Sequence, residues 1–180
     1  SDLFDAGGDL ICYAGPLRMT GKNYQAQGWF EQARREGIAV SDVFLGYRNT
    51  PHFVVAIRHR SADDRFIFLR GSIDTGRIQN QLLRVGLTST SDTFVVNREG
   101  ILQVPSRRHG RLLEELSLTM PPVSDTPAVV ETTDASGQAV TIGLAAIEGS
   151  PFVLMLVTPT AEVMGGWTRM RTLLLGLLAL

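Results

Sequence analysis

The chain carries the same strand-turn-strand pattern twice, and this repeat limits its fold more than any other feature. "LFDAGGDLICYA", residues 3–14, reads as two short β-prone runs around a Gly-Gly turn. "TFVVNREGILQVP" echoes it about ninety residues later, with its turn near Glu99 and Gly100. A period of that size points to two similar domains rather than a solenoid of short repeats. After the first hairpin come the loop "GPLRMTGKN" and a helix expected from about Tyr24 to Glu36, stopped by Gly37. The β-prone "IAVSDVFLGY", the turn "RNTP" and the strands "HFVVAIRH" and "RFIFLRGSI" follow, the last two joined by "RSADD". A helix over roughly Gly76 to Val85 ends this half. In the second half, "ETTDASGQAVTIGLAAI" and "PFVLMLVTP" supply the matching strands. Between them and the second hairpin lies "RRHGRLLEELSLTMPPVSDTPAVV", read as a short helix and a Pro-bearing loop. Strands in runs, with one or two helices over each sheet, predict an α+β chain. The strand "LF" is expected to share a sheet with "HFVVAI" and "RFIFLRGSI", whose apolar alternation needs a common core. The break between halves is expected near Arg84 to Thr88.

At 180 residues the chain has enough length for one domain or two small ones. Its 17 Lys and Arg nearly balance 18 Asp and Glu, which argues against a nucleic-acid-binding surface. The single Cys12 has no partner for an internal disulfide and no metal-ligand spacing around it. The end of the chain, "WTRMRTLLLGLLAL", is apolar without a break from Leu173 to Leu180. That is shorter than the roughly 20 residues of a membrane-spanning helix. It also lacks the polar face of an ordinary surface helix, and Trp167, Arg169 and Arg171 precede it like an interfacial anchor. Residues 166–180 are therefore expected to begin a transmembrane helix. The start, "SDLFDAGGDL", has the pattern of a folded interior rather than a signal peptide, so the chain is expected to be an excised piece.

Side chains that could carry chemistry are few. His52 and His59, seven apart on one expected strand, would face opposite ways, and His109 stands alone, so no metal is expected. There is no "GxSxG" elbow and no Gly-rich phosphate loop. "GLTSTSD" precedes a strand rather than a helix, and Asp63 with Asp64 sits in a loop. An enzyme within these residues, or a bound cofactor, is not expected. Trp29 and Phe30 raise a sharper question. Neighbours on a helix point about 100° apart, so one narrow stripe does not easily bury both.

"GKNYQAQGWFEQARREGIAVSDVFLGYRNTPHFVVAI" resembles the helix-strand segment of double Cache sensor domains, above all those of bacterial membrane sensor histidine kinases. "SDTFVVNREGILQVPSR" is similar to that family's membrane-proximal hairpin, and the resemblance runs from about Leu3 to Glu162. It implies two stacked PAS-like (Cache) subdomains, each a central antiparallel sheet flanked by helices. Residues 1–85 would be the membrane-distal subdomain, lacking its N-terminal helix, and residues 86–165 the membrane-proximal one. It further implies a periplasmic ligand-sensing module in the inner membrane, held by flanking transmembrane helices and homodimeric in the full-length protein. Such modules also occur on chemoreceptors and cyclic-dinucleotide enzymes. The small molecule would bind in the membrane-distal half, with one ring of Trp29 and Phe30 in the core and the other in the pocket wall. The implied pocket comprises Tyr24, Gln27, Trp29, Phe30, Phe44, Tyr47, Arg48, His52, Ser72 and Asp74. Amino-acid-binding members carry an Arg two places before the Trp and a Tyr after it; Gln27 and Phe30 stand there in this chain. A neutral Gln cannot act as a bidentate carboxylate clamp, so a standard α-amino acid held in the usual way is not expected. Lys22, Arg48, Arg58 or Arg70 remain as cations for an anionic group.

Overall fold

The structure, a computed structural model, describes residues 1–15, 21–46, 49–85 and 90–165, with the backbone alone at 83–85. Two compact units divide the chain: Ser1–Ile78 with Gly149–Pro151, and Gln79–Glu148 with Phe152–Leu180.

The first unit is a single antiparallel sheet under one helix. Its strands are β1 (Asp2–Phe4), β2 (Leu10–Tyr13), β3 (Ile38–Val40), β4 (Phe44–Leu45), β5 (Pro51–Arg60) and β6 (Phe66–Asp74). They lie in the order β2-β1-β6-β5-β3, with the short β4 also on β5. The expected sharing of one sheet is found, since β1 pairs β6 and β6 pairs β5. The cross-strand pairs put Phe4, Phe68, Val54, Ala56 and Ala39 on one face, and all five are buried. Helix α1 (Gly28–Glu36) covers that face with Trp29, Phe30 and Ala33. It begins at Gly28 rather than Tyr24, because Tyr24 to Gln27 form a turn in which the Gln27 amide bonds the Tyr24 carbonyl at 2.9 Å. It ends where expected: Gly37 has φ 90°, a left-handed conformation that glycine adopts freely.

Trp29 and Phe30 are both buried, 5% and 0% exposed, because two surfaces receive them. Phe30 lies on the sheet against Phe68, with ring centroids 4.6 Å apart. Trp29 turns aside to Phe4 and to Tyr24, each at 5.8 Å. The Tyr24 amide bonds the Gly8 carbonyl at 2.9 Å, which folds the preceding loop up beside the helix as that second surface.

The second unit has the same plan. Its strands are β7 (Asp92–Asn97), β8 (Leu102–Val104), β9 (Ala128–Thr133), β10 (Ala139–Ala146) and β11 (Phe152–Pro159), in the order β8-β7-β11-β10-β9. If β4 is set aside, both sheets run second, first, fifth, fourth, third. The equivalence reaches single residues. Asp2 and Phe4 open β1 as Asp92 and Phe94 open β7, and all four are buried. The core here is Phe94 with aliphatic side chains, among them Val96, Leu102, Ile142, Val153 and Met155. Helix α2 (Thr75–Val85) follows β6, and the one-turn α3 (Thr160–Val163) follows β11.

The helix expected in "RRHGRLLEELSLTM" is not formed. Leu113 has φ 64°, which an α-helix does not tolerate, and the chain instead runs back along β8. The Leu102 amide bonds the Glu114 carbonyl at 2.9 Å, and the Leu113 amide the Leu102 carbonyl at 2.8 Å. Leu116 and Leu118 are buried while Ser117 and Thr119 are exposed, an alternation of period two that suits extended chain. The second sheet is thus covered by irregular chain where the first has α1.

Candidate functional site

The inner face of the first sheet changes character along its length. Phe68, Arg70, Ser72 and Asp74 alternate onto this face of β6. Phe68 and Arg70 are buried, whereas Ser72 and Asp74 are exposed. On the neighbouring strand Val54 lies opposite Ser72, and the half-buried His52 lies opposite Asp74. The apolar face under α1 therefore runs out into a polar, accessible end.

Arg70 marks the transition. It is 8% exposed and sits directly across the strand pair from Asp2, with Nε 3.4 Å from the Asp2 carboxylate. The guanidinium lies over the rings of Tyr24, at 5.0 Å, and Trp29, at 5.2 Å. Stacking on two aromatic rings and a carboxylate replace water around a buried cation. Its terminal nitrogen Nη2 donates to Ser72 Oγ at 3.0 Å, so the charged end is directed along the strand toward the accessible region.

The remaining predicted residues divide between this end and its surroundings. Phe44 is half-buried with its ring 4.6 Å from that of His52, across the β4–β5 pair. His52 Nδ1 lies 3.0 Å from the Thr50 carbonyl, and a side chain at Gly46 would run into its ring, so the imidazole is held on both sides. Gln27, exposed, occupies the N-cap position of α1 without a side-chain capping bond. Asp74 Oδ1 accepts the Gly76 amide at 2.7 Å and so also fastens the start of α2. Tyr24, Trp29 and Phe30 belong to the aromatic core, of which Tyr24 and Trp29 border Arg70. Tyr47 and Arg48 lie outside the described residues, as does the expected start of a transmembrane helix at 166–180. Among the described residues no helix is long and apolar enough to cross a membrane. Arg58, another predicted cation, is engaged elsewhere, donating to the Arg34 carbonyl and lying 4.9 Å over Phe66.

Asp2 is a residue of this end that the sequence alone does not point to. Its one signal was a charged residue opening an apolar strand, which becomes informative once β1 is known to lie beside β6. Chemically, this end of the sheet offers a guanidinium backed by aromatic rings, a hydroxyl, an imidazole and a carboxylate at the edge of the apolar core under α1.

The two antiparallel sheets, of six and five strands, give the chain an α+β, PAS/Cache-like fold. Among the solved structures similar to this chain are an extracellular domain assigned to a histidine kinase and ligand-binding domains of chemoreceptors. One is the extracellular domain of rpHK1S-Z16, a protein assigned as a histidine kinase, with TM-score 0.67 and 14% identity over 92% of this chain and 72% of that one. Another is the ligand-binding domain of the Pseudomonas fluorescens chemoreceptor CtaA in complex with L-isoleucine, with TM-score 0.67 and 16% identity over 91% and 69%. A third is that of the Pseudomonas aeruginosa PAO1 amino acid chemoreceptor PctB in complex with L-Arg, with TM-score 0.68 and 13% identity over 94% and 69%. No protein-family model and no curated protein matches the chain.

Proposed function

We propose that this chain is the periplasmic ligand-sensing input region of an inner-membrane sensor histidine kinase. It would bind a small molecule in its first, membrane-distal unit and pass the signal through flanking transmembrane helices within a homodimer. In this reading residues 1–85 and 86–165 act as the distal and proximal subdomains, residues 166–180 begin the second membrane helix, and catalysis resides in other parts of the parent protein. The observation that carries the proposal is the polar end of the first sheet's inner face, where Arg70, Ser72, Asp74 and His52 converge beside Trp29 and Phe44. Relatives in fold are an extracellular domain assigned to a histidine kinase and chemoreceptor domains holding L-isoleucine and L-Arg, which supports a small polar ligand. Those same chemoreceptors favour a second reading, in which the output is a chemoreceptor signalling domain. A phosphoacceptor His followed by an ATP-binding domain after residue 180 would decide for the kinase, and a long coiled coil for the chemoreceptor.

Gln27 cannot grip a carboxylate as a guanidinium does, whereas Arg70 offers this site a cation for an anionic group. The test is a thermal-shift screen of the purified chain against amino acids, small carboxylates and amines, followed by affinities of variants for the hit. Gln27→Ala and His52→Ala should each weaken binding about tenfold, some 1.4 kcal/mol, with cooperative melting retained. Unchanged affinity in both Gln27→Ala and Tyr24→Phe would place the ligand elsewhere and overturn the assignment.

A further inference from the structure

The second unit contains a cavity of about 290 Å³ that plays no part in the site proposed for the first. It lies at the end of the sheet where β7 and β10 begin and β11 finishes, closed by the turn bearing Arg108 and His109 and by the β9–β10 turn at Asp134 to Gln138. Val140 and Val157, both buried, form an apolar wall. His109 lines the same space, is 7% exposed, and neither ring nitrogen hydrogen-bonds a protein group among the described residues. Burial lowers its basicity, as does Arg108, while Asp92 and Asp134 act the other way. A neutral imidazole presents one donor and one acceptor to whatever enters.

Two charges of opposite sign stand at the rim. Asp134 is fixed by its own turn: Oδ1 accepts Ser136 Oγ at 2.6 Å and the amides of Ser136 and Gln138 at 2.9 Å, leaving Oδ2 with no hydrogen bond among the described residues. Arg108 is exposed and forms no ion pair among the described residues. Asp92, by contrast, is already committed. Its Oδ2 accepts Ser106 Oγ at 2.6 Å and the amides of Arg107 and Arg108 at 2.9 and 3.1 Å, with Arg107 Nε 3.6 Å from Oδ1. The available groups are therefore a carboxylate oxygen, a guanidinium and an imidazole around a partly apolar hollow.

We propose that this cavity is a second ligand site, selective for a small zwitterion carrying one ammonium and one carboxylate. The ammonium meets Asp134, the carboxylate meets Arg108, and His109 bonds a polar group between them. A simple anion would face the Asp134 carboxylate unpaired, and a simple cation would face Arg108, whereas a zwitterion satisfies both charges with charge-assisted bonds. The volume, about 290 Å³, falls just below the roughly 300–1,000 Å³ of drug-sized ligand sites, which suits a small metabolite rather than a nucleotide or peptide.

The ring nitrogens of His109, assigned by comparison with His109→Gln, report on the site directly in NMR of the histidine-labelled chain. The probes are glycine, L-alanine, L-glutamine and γ-aminobutyrate, with acetate and ethylammonium as singly charged controls. At least one zwitterion should shift the His109 ring signals saturably, and Arg108→Gln and Asp134→Asn should each raise its Kd about tenfold or more. Gln27→Ala and Ser72→Ala in the first unit should leave the response intact. Silence from all four zwitterions, equal shifts from acetate or ethylammonium, or a Kd unchanged in both rim variants would overturn the proposal. So would loss of the His109 response in the first-unit variants. Binding that Gln27→Ala abolishes while His109 stays silent would leave the first-unit site standing and remove this one alone.

Discussion

Asp2 and Asp92 occupy the same place in two sheets of the same order, and each is buried, yet they are satisfied by different means. Asp2 faces a single buried cation across the sheet, Arg70, whose side chain is 10% exposed. Asp92 draws its bonds from a turn: the Ser106 hydroxyl, two backbone amides and an Arg107 whose side chain is 48% exposed. The first unit thus buries its charge within the aromatic core under α1, beside the accessible end of the sheet. The second keeps an aliphatic core and gathers its polar groups in loops around a cavity. One strand plan tolerates both because the sheet fixes the place of the Asp, while the segment between the second and third strands determines its surroundings.

The largest expected effects test whether the units are equivalent. Phe4→Ala and Phe94→Ala each remove a fully buried ring at matching positions, and each should cost about 3–5 kcal/mol in urea unfolding. A loss under about 1 kcal/mol at either position would break the equivalence. The next pair separates the two ways of holding Asp. Arg70→Met leaves the buried Asp2 carboxylate without its buried cation, the exposed N-terminal ammonium lying 4.0 Å away, and should cost about 3 kcal/mol. Arg107→Met should cost less than about 1 kcal/mol, because the Arg107 guanidinium is half-exposed, 3.6 Å from a carboxylate whose hydroxyl and amide donors remain. Equal losses would mean that the two aspartates are held alike. Ser106→Ala should exceed Arg107→Met, at about 1–2 kcal/mol, since the hydroxyl donates to Asp92 and accepts from the Arg108 and His109 amides.

The smallest effect is a pH dependence confined to the second unit. Burial holds the His109 pKa below the ordinary value of about 6.5. Between the lowered folded value and about 6.5 the unfolded chain binds more protons, so stability rises with pH across that window and falls as pH drops through it. Above about 6.5 both states are neutral and the slope vanishes. His109→Gln should remove this slope; a slope that persists in the variant would assign it to other groups.

The strands and the doubled hairpin were legible because β-branched and aromatic runs bounded by turn residues leave a direct trace in "HFVVAI" and "TFVVN", although neighbours such as Phe53 with Val54 and Phe94 with Val95 are both buried. Leu112, Leu113 and Leu116 have helical spacing, but that pattern misled: Leu118 and Met120 continue an alternation better suited to extended chain, and the positive φ at Leu113 leaves no mark in composition. Trp29 and Phe30 could not be apportioned from one helical stripe, because the second surface comes from a loop folded back onto Gly8. In the candidate site, His52, Ser72 and Asp74 enter as expectations of the resemblance, and the register of β5 on β6 then brings His52 opposite Asp74. The partnership of Asp2 with Arg70 depends on β1 joining the sheet beside β6, a pairing across nearly seventy residues that no local pattern encodes.

Hydrogen–deuterium exchange with the first-unit ligand tests the central claim most directly. A molecule seated at the polar end of the first sheet should slow exchange in peptides covering Phe44 to Val54 and Arg70 to Gly76. It should also slow the turn from Tyr24 to Trp29, and the protection should fall sharply in His52→Ala. Saturating ligand that leaves all three peptides unchanged would contradict the account.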